Sequence, residues 1–225
     1  MKPTLVLSDL HLAEERADSA AAFRAFTSGP AREAKAVYVL GDLFDSWVGD
    51  DQAREPFAAS VVKALRGVSD TGVALSVARG NRDFLLGDAF VRATGATLLA
   101  EQTLAELGGV TTLLMHGDEL CTDDHSYQRY RAWMRDPAHQ RRLMRLPYRL
   151  RRGIAAWMRT KSRRATARKP ESILDVNAAA VEAAFRRHRV TRIIHGHTHR
   201  PARHSLVVDG IARERIVLAD WDACG

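Results

Sequence analysis

The chain has 225 residues, 46% of them hydrophobic and 27% charged, a composition that is typical of a folded globular protein and excludes disordered, collagen-like and low-complexity chains. It has no apolar run near the roughly 18 residues of a spanning helix, no signal cleavage motif and only two distant cysteines, so we expect one cytosolic domain without secretion, membrane span or disulfide framework. The net charge of +7 is uneven, because residues 129–169 hold 15 basic residues and one acidic residue while the rest carries −7; this argues against the evenly basic surface of a general nucleic-acid binder.

Five short apolar runs stop at polar residues along the chain. Each is of strand length and rich in Val, Leu and Ile, as expected for strands covered on both faces; they comprise residues 4–7, 36–40, 73–78, 111–115 and 192–194. Helical patterns separate the first three runs, at 18–27 with Phe23 and Phe26 facing inward and at 52–66. This alternation predicts a layered α/β fold whose sites lie at the carboxyl ends of the strands.

A hairpin is predicted near the end of the chain. Two apolar stretches, 205–208 and 215–218, flank the dipeptide Asp209-Gly210, and Asp-Gly favours the positive φ angles of a tight turn. We find no internal repeat and no low-complexity linker between these elements.

Side chains that can bind metals follow the apolar runs. Seven of them would converge on one rim of the sheet: Asp9, His11, Asp42, Asn81, His116, His197 and His199. Carboxylates, imidazoles and an amide oxygen suit Mn²⁺, Fe²⁺ or Zn²⁺, and seven donors are too many for one ion with an open position. Two ions about 3.5 to 4 Å apart that share a carboxylate would accommodate them, and such pairs serve in-line displacement at phosphorus.

Each of these motifs also has an ordinary interpretation when it is taken alone. Asp-x-His after a strand can cap a helix, and Gly-Asp or Gly-Asn-Arg-Asp is most often a turn. Their combination is more specific, because five of the nine histidines fall at these strand ends.

The order of the motifs resembles that of the calcineurin-like metallophosphoesterases. It runs Asp-x-His, Gly-Asp, Gly-Asn, His-Gly-Asp and Gly-His-x-His, from Asp9 to His199. Four longer strings, at 41–51, 80–87, 116–124 and 195–201, resemble the bacterial UDP-2,3-diacylglucosamine pyrophosphohydrolases of lipid A synthesis. The resemblance implies a sandwich of two mixed β-sheets flanked by helices, two Mn²⁺ ions, and cleavage of UDP-2,3-diacylglucosamine to UMP and 2,3-diacylglucosamine 1-phosphate.

The resemblance also implies a division of the seven ligands between two ions. One ion would take Asp9, His11, Asp42 and His199, and the other would take Asp42, Asn81, His116 and His197, with Asp42 as the bridge. A hydroxide between the metals would attack the α-phosphorus while both ions stabilise the developing charge. His195 lies one residue outside the Gly-His-x-His motif, and we interpret it as structural.

Arg82 follows Asn81 at a place where many relatives in the wider superfamily have a histidine that assists an alkoxide leaving group. A guanidinium cannot donate a proton near neutral pH. A sugar 1-phosphate leaves as a weakly basic anion, so we expect Arg82 to act in catalysis as a fixed cation that holds the diphosphate. An ion pair with Asp83 is the ordinary alternative.

The basic stretch at 129–169 interleaves arginines with large apolar residues, a pattern of helices with apolar stripes and cationic flanks. Such helices suit an anionic membrane surface, and a solvated basic face is the ordinary alternative. In the resembled family this region is a helical lid over the acyl chains, which implies an insertion at about 125–170. We therefore expect peripheral attachment to the cytoplasmic face of the bacterial inner membrane, with neither nucleic acid nor an obligate protein partner.

Substrate contacts implied by the resemblance come from both the rim and the insertion. They are Asn81, Arg82, Asp124, Tyr127, Ser162, Thr166, Lys169 and His197. Thr166 departs from the family pattern, which has asparagine there, although its hydroxyl could still bond a nucleotide or glucosamine oxygen.

Two rival functions use the same features. A dimetal nuclease or phosphodiesterase would share the seven ligands, but it would favour a proton donor in place of Arg82 and would not need a concentrated basic insertion. A non-catalytic membrane-binding scaffold would not need to keep a full ligand set.

Overall fold

The computed structural model describes residues 2–166 and 169–221, and it describes Arg163, Thr166, Glu171 and Ser172 by their backbone alone. Four parallel strands form the first sheet. They lie side by side in chain order: β1 (Thr4–Leu7), β2 (Ala36–Val39), β3 (Ala74–Val77) and β4 (Thr97–Leu98). The expectation of mixed pairing does not hold for this sheet, because each link between its strands is a helical crossover and such connections return the chain in the same direction. The expected burial on both faces also fails for β1, which is half-buried at the sheet edge.

The helices of these crossovers are α1 (Ala17–Ser28), α2 (Pro30–Glu33), α3 (Pro56–Ser69) and α4 (Asp88–Thr94). The predicted helix at 52–66 begins four residues late, since residues 50–54 form a separate 3₁₀ turn. Pro56 explains the boundary: it occupies the first turn of α3, where its missing N–H costs nothing, and it holds Glu55 in an extended conformation with ψ 139°.

The second sheet has five strands in the order β5-β6-β7-β9-β8 and is mixed, as expected. Its strands are β5 (Gln102–Leu107), β6 (Val110–Met115), β7 (Arg192–His195), β8 (Ala202–Val208) and β9 (Ile211–Val217). The predicted hairpin is confirmed, with Val208 paired to Ile211 and positive φ at both Asp209 and Gly210. The sequence pattern missed β5, a half-exposed edge strand whose hydrophobic content is low.

Three apolar clusters hold the layers together. One lies between the first sheet and helices α1, α3 and α4, with Phe23 and Leu65 at its centre. A second joins the two sheets through Leu40, Leu114 and Ile194. The third packs the second sheet against α9 (Ala178–His188). The result is a sandwich of two sheets flanked by helices, in which the carboxyl ends of β1, β2, β3, β6 and β7 share one rim.

The described part of residues 125–170 contains three helices at the place expected for the insertion. They are α5 (His125–Arg135), α6 (Pro137–Met144) and α7 (Tyr148–Thr166), and the short α8 (Glu171–Leu174) follows. We refer to α5, α6 and α7 as the three-helix segment. Within the described residues, no helix combines the length and apolar character needed to cross a membrane.

Candidate metal centre

Asp42 lies between two groups of side chains at the shared rim. Its Oδ2 atom is 3.7 Å from Nδ1 of His11, and its Oδ1 atom is 3.8 Å from Nε2 of His116. The side chain is 2% exposed. One carboxylate therefore presents an oxygen to each of the two groups.

The first group consists of Asp9, His11 and His199, whose donor atoms all lie within 4.8 Å of one another. The Nε2 atoms of the two imidazoles are 3.4 Å apart, and the rings stack at 5.3 Å. Oδ1 of Asp9 is 3.9 Å from Nε2 of His11 and 3.7 Å from Nε2 of His199. Three donor atoms thus face one small space.

The second group contains Asn81, His116 and His197. The Oδ1 atom of Asn81 is 3.0 Å from Nε2 of His116 and 3.0 Å from Nδ1 of His197. Nδ1 of His116 lies 2.9 Å from the carbonyl oxygen of Leu40 and donates to it, which directs Nε2 toward the rim. An imidazole held in this way by a backbone carbonyl is the usual arrangement of a metal-ligating histidine.

The backbone is unusual at most of the seven candidate ligands. Five of them have a positive φ, which is sparsely populated by residues other than glycine: Asp9 at 55°, His11 at 47°, Asp42 at 53°, His197 at 71° and His199 at 53°. Residues held in such conformations cluster at functional sites, where the surrounding structure enforces them. The strained backbone of the rim therefore indicates a functional site.

Two glycines allow the rim loops to approach one another. A Cβ atom on Gly80 would lie 2.0 Å from Oδ1 of Asp42, and one on Gly196 would lie 2.1 Å from Oδ2 of Asp9. Neither contact can be relieved without moving a candidate ligand. Only glycine lets the loops after β3 and β7 pass this close to the carboxylates.

Asp83 fastens two of these loops together. Its fully buried carboxylate accepts hydrogen bonds from the backbone N–H groups of Leu43, at 2.7 Å, and Gly80, at 2.7 Å. The proposed alternative for Arg82, an ion pair with Asp83, is therefore wrong, because backbone donors occupy that carboxylate. Arg82 pairs with Asp45 at 3.4 Å instead, and its Nε atom is 4.0 Å from Asp42.

Asp45 was not singled out from the sequence, although it lies in the motif string that begins at Gly41. Its carboxylate also pairs with Arg159 of α7. Two guanidinium groups, one from the rim and one from the three-helix segment, thus share one carboxylate beside Asp42.

The protonation equilibria reflect a crowded anionic site. Burial raises the pKa of Asp42 to about 7, and the charges of Asp83 and Asp9 add to the effect. Burial opposes a charge on His116 too, but Asp42, Asp9 and Asp118 outweigh it and raise the pKa of that imidazole to about 9. These carboxylates therefore favour a positive charge among them.

Burial has the opposite effect on the other imidazoles. It lowers the pKa of His11 to about 3 and that of His197 to about 4. Both rings are neutral at physiological pH, which is the form that binds a metal ion.

The residues fit a metal centre by a second criterion. Oδ1 of Asp9 and Nδ1 of His11 are buried without a hydrogen-bond partner among the described residues. Leaving a buried polar atom unpaired costs about 1 to 3 kcal/mol, so such atoms require an explanation. A cation held by the first group would supply the missing partner of Asp9 Oδ1, and cations at the two groups would supply the positive charge.

The expected substrate contacts on and beside the three-helix segment are only partly brought to the rim. Nζ of Lys169 is 2.5 Å from Oδ2 of Asp124, which also caps the N-terminus of α5. The ring of Tyr127 lies 5.8 Å from that of His197. Ser162 is exposed on α7, and the side chain of Thr166 lies outside the described residues.

His195, which we interpreted as structural, faces away from both groups. Its ring is fully buried, with Nδ1 2.8 Å from the carbonyl oxygen of Gly196 and Nε2 3.0 Å from a guanidinium nitrogen of Arg215.

Comparison with known proteins gives consistent matches over most of the chain. A sequence model described as calcineurin-like phosphoesterase matches residues 2–201. UDP-2,3-diacylglucosamine hydrolase of Pseudomonas putida strain W619 is 48% identical over 98% of this chain and 92% of its own length. The protein of the same name from Chromohalobacter salexigens is 46% identical over 97% of this chain and 88% of its own length. Among solved structures, Vps29 from Entamoeba histolytica complexed with zinc has a TM-score of 0.45 and 15% identity, over 96% of this chain and 73% of that chain.

Proposed function

This chain belongs to the calcineurin-like phosphoesterase family, and from that premise we propose that it cleaves the diphosphate of UDP-2,3-diacylglucosamine to UMP and 2,3-diacylglucosamine 1-phosphate, a step of lipid A synthesis. It is a metal-dependent hydrolase, whose clustered Asp and His side chains form a site for two metal ions. Relatives named for this substrate, at 46% and 48% identity over nearly the full chain, support the assignment.

The position of Asp42 between two groups of donors is the observation that carries the proposal. Since each of its oxygens faces a different group, Asp42 is the natural shared ligand of two ions. We assign Asp9, His11, Asp42 and His199 to one ion and Asp42, Asn81, His116 and His197 to the other. When bound, a pair of divalent cations supplies an activated water and neutralises charge at the reacting phosphorus. We propose manganese as the native metal; the oxygen and nitrogen donors also suit Fe²⁺ and Zn²⁺.

Arg82 holds the diphosphate in this proposal. Its side chain is one-third exposed at the rim, so its guanidinium can reach a ligand there while Asp45 fixes its direction. A planar guanidinium forms paired hydrogen bonds with phosphate oxygens and keeps its charge throughout the reaction. Because the leaving phosphate is a weak base, it needs this fixed charge and not a proton.

The contacts on and beside the three-helix segment would bind the glucosamine and the nucleotide. Lys169 and Asp124 together offer an ammonium and a carboxylate at the start of α5. Tyr127 lies against His197, where a ring can cover a ligand held at the rim. We propose Ser162 and Thr166 as further contacts, as the family resemblance implies.

The outer face of the three-helix segment supports attachment to an anionic membrane. Trp157 of α7 is 63% exposed and Leu150 is 50% exposed, and Nζ of Lys161 lies 5.3 Å from the centre of the Trp157 ring. Large apolar side chains among cations suit the interface of an anionic bilayer. We propose that this face attaches the enzyme to the cytoplasmic side of the inner membrane.

A vesicle sedimentation assay tests the membrane proposal. Trp157→Ser should weaken binding to vesicles containing phosphatidylglycerol by about tenfold, since an indole ring leaves the interface. Val207→Ser is the matched control, because Val207 is 70% exposed on β8, away from the helical segment. Equal weakening by both substitutions, or by neither, would contradict the proposed orientation.

Release of UMP from UDP-2,3-diacylglucosamine tests the function. The protein should lose activity in EDTA and regain it with Mn²⁺, and Asp42→Asn should lose at least about a hundredfold because a shared ligand affects both ions. Asp70→Asn is the matched control, since Asp70 is exposed at the C-terminal end of α3 and its carboxylate pairs only with Arg66 among the contacts described.

The rival function gives the opposite result in the same assay. A general phosphodiesterase or nuclease would cleave bis-p-nitrophenyl phosphate or DNA briskly and leave the lipid-linked nucleotide intact. A non-catalytic scaffold would release no UMP and would hold no divalent ion after purification without chelator.

A further inference from the structure

Asp118 is a fully buried carboxylate that the proposed chemistry does not use. It follows β6 by three residues, in the His-Gly-Asp motif, and lies in neither group of candidate ligands. A buried ionised group without a role is rare, because removing a charge from water is costly unless a partner compensates it. Its partners are therefore informative.

Three side chains of α5 contact the Asp118 carboxylate. Its Oδ2 atom accepts a hydrogen bond of 2.7 Å from the Tyr127 hydroxyl and one of 2.9 Å from Nε of Arg131, with a guanidinium nitrogen of Arg135 at 3.5 Å. Its backbone carbonyl also accepts a bond of 2.8 Å from Nε2 of Gln128. These four residues lie on one face of the helix, since they are spaced by one, three and four positions.

The two arginines extend the network to other elements. Glu101, before β5, accepts hydrogen bonds of 2.6 Å from Arg131 and 2.9 Å from Arg135. Arg135 also approaches the carbonyl oxygen of Arg79, in the loop that leads to Asn81, at 3.4 Å. Asp118 is thus the buried centre of a network that joins α5 to the ends of β3 and β6.

This network determines where α5 lies relative to the rim. It turns the hydroxyl of Tyr127 inward to Asp118 and leaves the ring 5.8 Å from that of His197. It also holds the start of α5, whose N-cap residue Asp124 pairs with Lys169. A helix fastened by four side chains to one buried carboxylate and its backbone has little freedom to swing.

We propose that Asp118 is a positioning residue that fastens α5 to the rim through Tyr127, Arg131 and Arg135, so that α5 is a fixed wall of the substrate site and not a moving part. Its effect on substrate binding rests on the proposed function, whereas its effect on α5 does not. Asp118 acts through Tyr127 and α5, and contacts no substrate itself.

Hydrogen–deuterium exchange and steady-state kinetics of Asp118→Asn, in the full chain loaded with Mn²⁺, test the proposal. Amides of α5 should exchange at least about tenfold faster, while those of β3 and β6 keep their protection. The KM for UDP-2,3-diacylglucosamine should rise about tenfold with a smaller change in kcat, because a displaced wall weakens binding more than it changes the chemistry. The metal content should stay at the wild-type value.

Two further variants separate positioning from general stability. Arg131→Gln breaks the network on the helix side, at a residue outside both groups of candidate ligands, and should reproduce the exchange effect even where Asp118→Asn folds poorly. Glu101→Gln disturbs the same arginines at their exposed end and should change neither α5 exchange nor KM by more than about twofold.

The proposal is overturned if α5 exchange is unchanged in both network variants, or if β6 loses protection by the same factor as α5. An unchanged KM in a variant with a loosened α5 would also overturn it. If the wild type does not hydrolyse UDP-2,3-diacylglucosamine at all, the proposed function fails, and the exchange experiment still decides the role of Asp118.

Discussion

The rim that carries the candidate metal ligands and helix α7 are held in place in two different ways. The rim is fixed by its backbone, through strained φ angles, a glycine packed against Asp42 and a buried carboxylate that accepts from two loops. Helix α7 is attached through the ends of long side chains, in the ion pairs of Arg151 with Asp51, Arg152 with Glu55 and Arg159 with Asp45. The difference indicates that chemistry at the rim needs atoms fixed within tenths of an ångström, whereas α7 needs only to stay attached to the rest of the protein.

The same substitution in the two regions should have opposite effects, and this is the strongest test of the comparison. Gly80→Ala places a methyl group 2.0 Å from Oδ1 of Asp42 and should cost more than about 3 kcal/mol of unfolding free energy, together with about a hundredfold of activity. Gly153→Ala, in the exposed interior of α7, meets no atom within 4 Å and should stabilise the protein by about 1 kcal/mol.

Urea unfolding and UMP release measure the two outcomes. A destabilising Gly153→Ala would show that α7 packs more closely than its open side indicates. A Gly80→Ala variant with normal metal content would show that the rim can relax, contrary to the comparison.

Acid should lower the free energy of unfolding of the protein through His195. Burial lowers the pKa of this imidazole to about 4, below the 6.5 of the unfolded chain. Between these values the unfolded state binds more protons, so stability is complete above pH 6.5 and falls as the pH decreases toward 4. The loss from pH 7.5 to pH 5 should be about 2 kcal/mol.

Urea unfolding of the wild type and of His195→Gln at both pH values checks this effect, because other titrating groups cancel in the difference. The variant should lose about 2 kcal/mol less than the wild type over this pH range. Equal losses in the two proteins would assign the acid sensitivity to other groups.

The attachments of α7 should differ among themselves by a smaller amount. Arg151 is 2% exposed and pairs with Asp51, whereas Arg152 is 64% exposed and pairs with Glu55. Arg151→Leu should cost about 1 to 2 kcal/mol, since Asp51 is partly hydrated without its partner, and Arg152→Ala should cost less than about 0.5 kcal/mol.

Exchange of the α7 amides at low and high salt measures this difference directly. Added salt should speed exchange more in the wild type than in the Arg152→Ala variant, because that variant already lacks the exposed pair that salt screens first. Salt-independent exchange would mean that apolar packing, and not these ion pairs, attaches the helix.

Much of the fold could be predicted from short patterns. The apolar runs located β1, β2, β3, β6 and β7, and Asp209-Gly210 located the hairpin, since burial and turn geometry act within a few residues. The apolar pattern did not predict strand β5, because an edge strand needs few apolar residues. The predicted start at residue 52 is four residues too early, because residues 50–54 form a separate 3₁₀ turn and Pro56 occupies the first turn of α3.

The candidate site shows the same limit. Its seven candidate donors were predictable because each follows a strand. The local sequence predicts neither the positive φ of five of them nor the role of Asp83. Asp45 and Asp118 lay inside recognised motifs without an assigned role. Their partners, Arg159 and α5, are far away in the chain or on another element.

Residue order alone predicted the candidate donor residues, the chemical class and the basic segment, since these depend on composition and on which side chain ends which strand. Packing of the two sheets decided which oxygen of Asp42 faces which imidazole, and which buried carboxylate secures which loop or helix. Those relations depend on distances between segments up to about two hundred residues apart, and only the folded chain brings them within reach of a hydrogen bond.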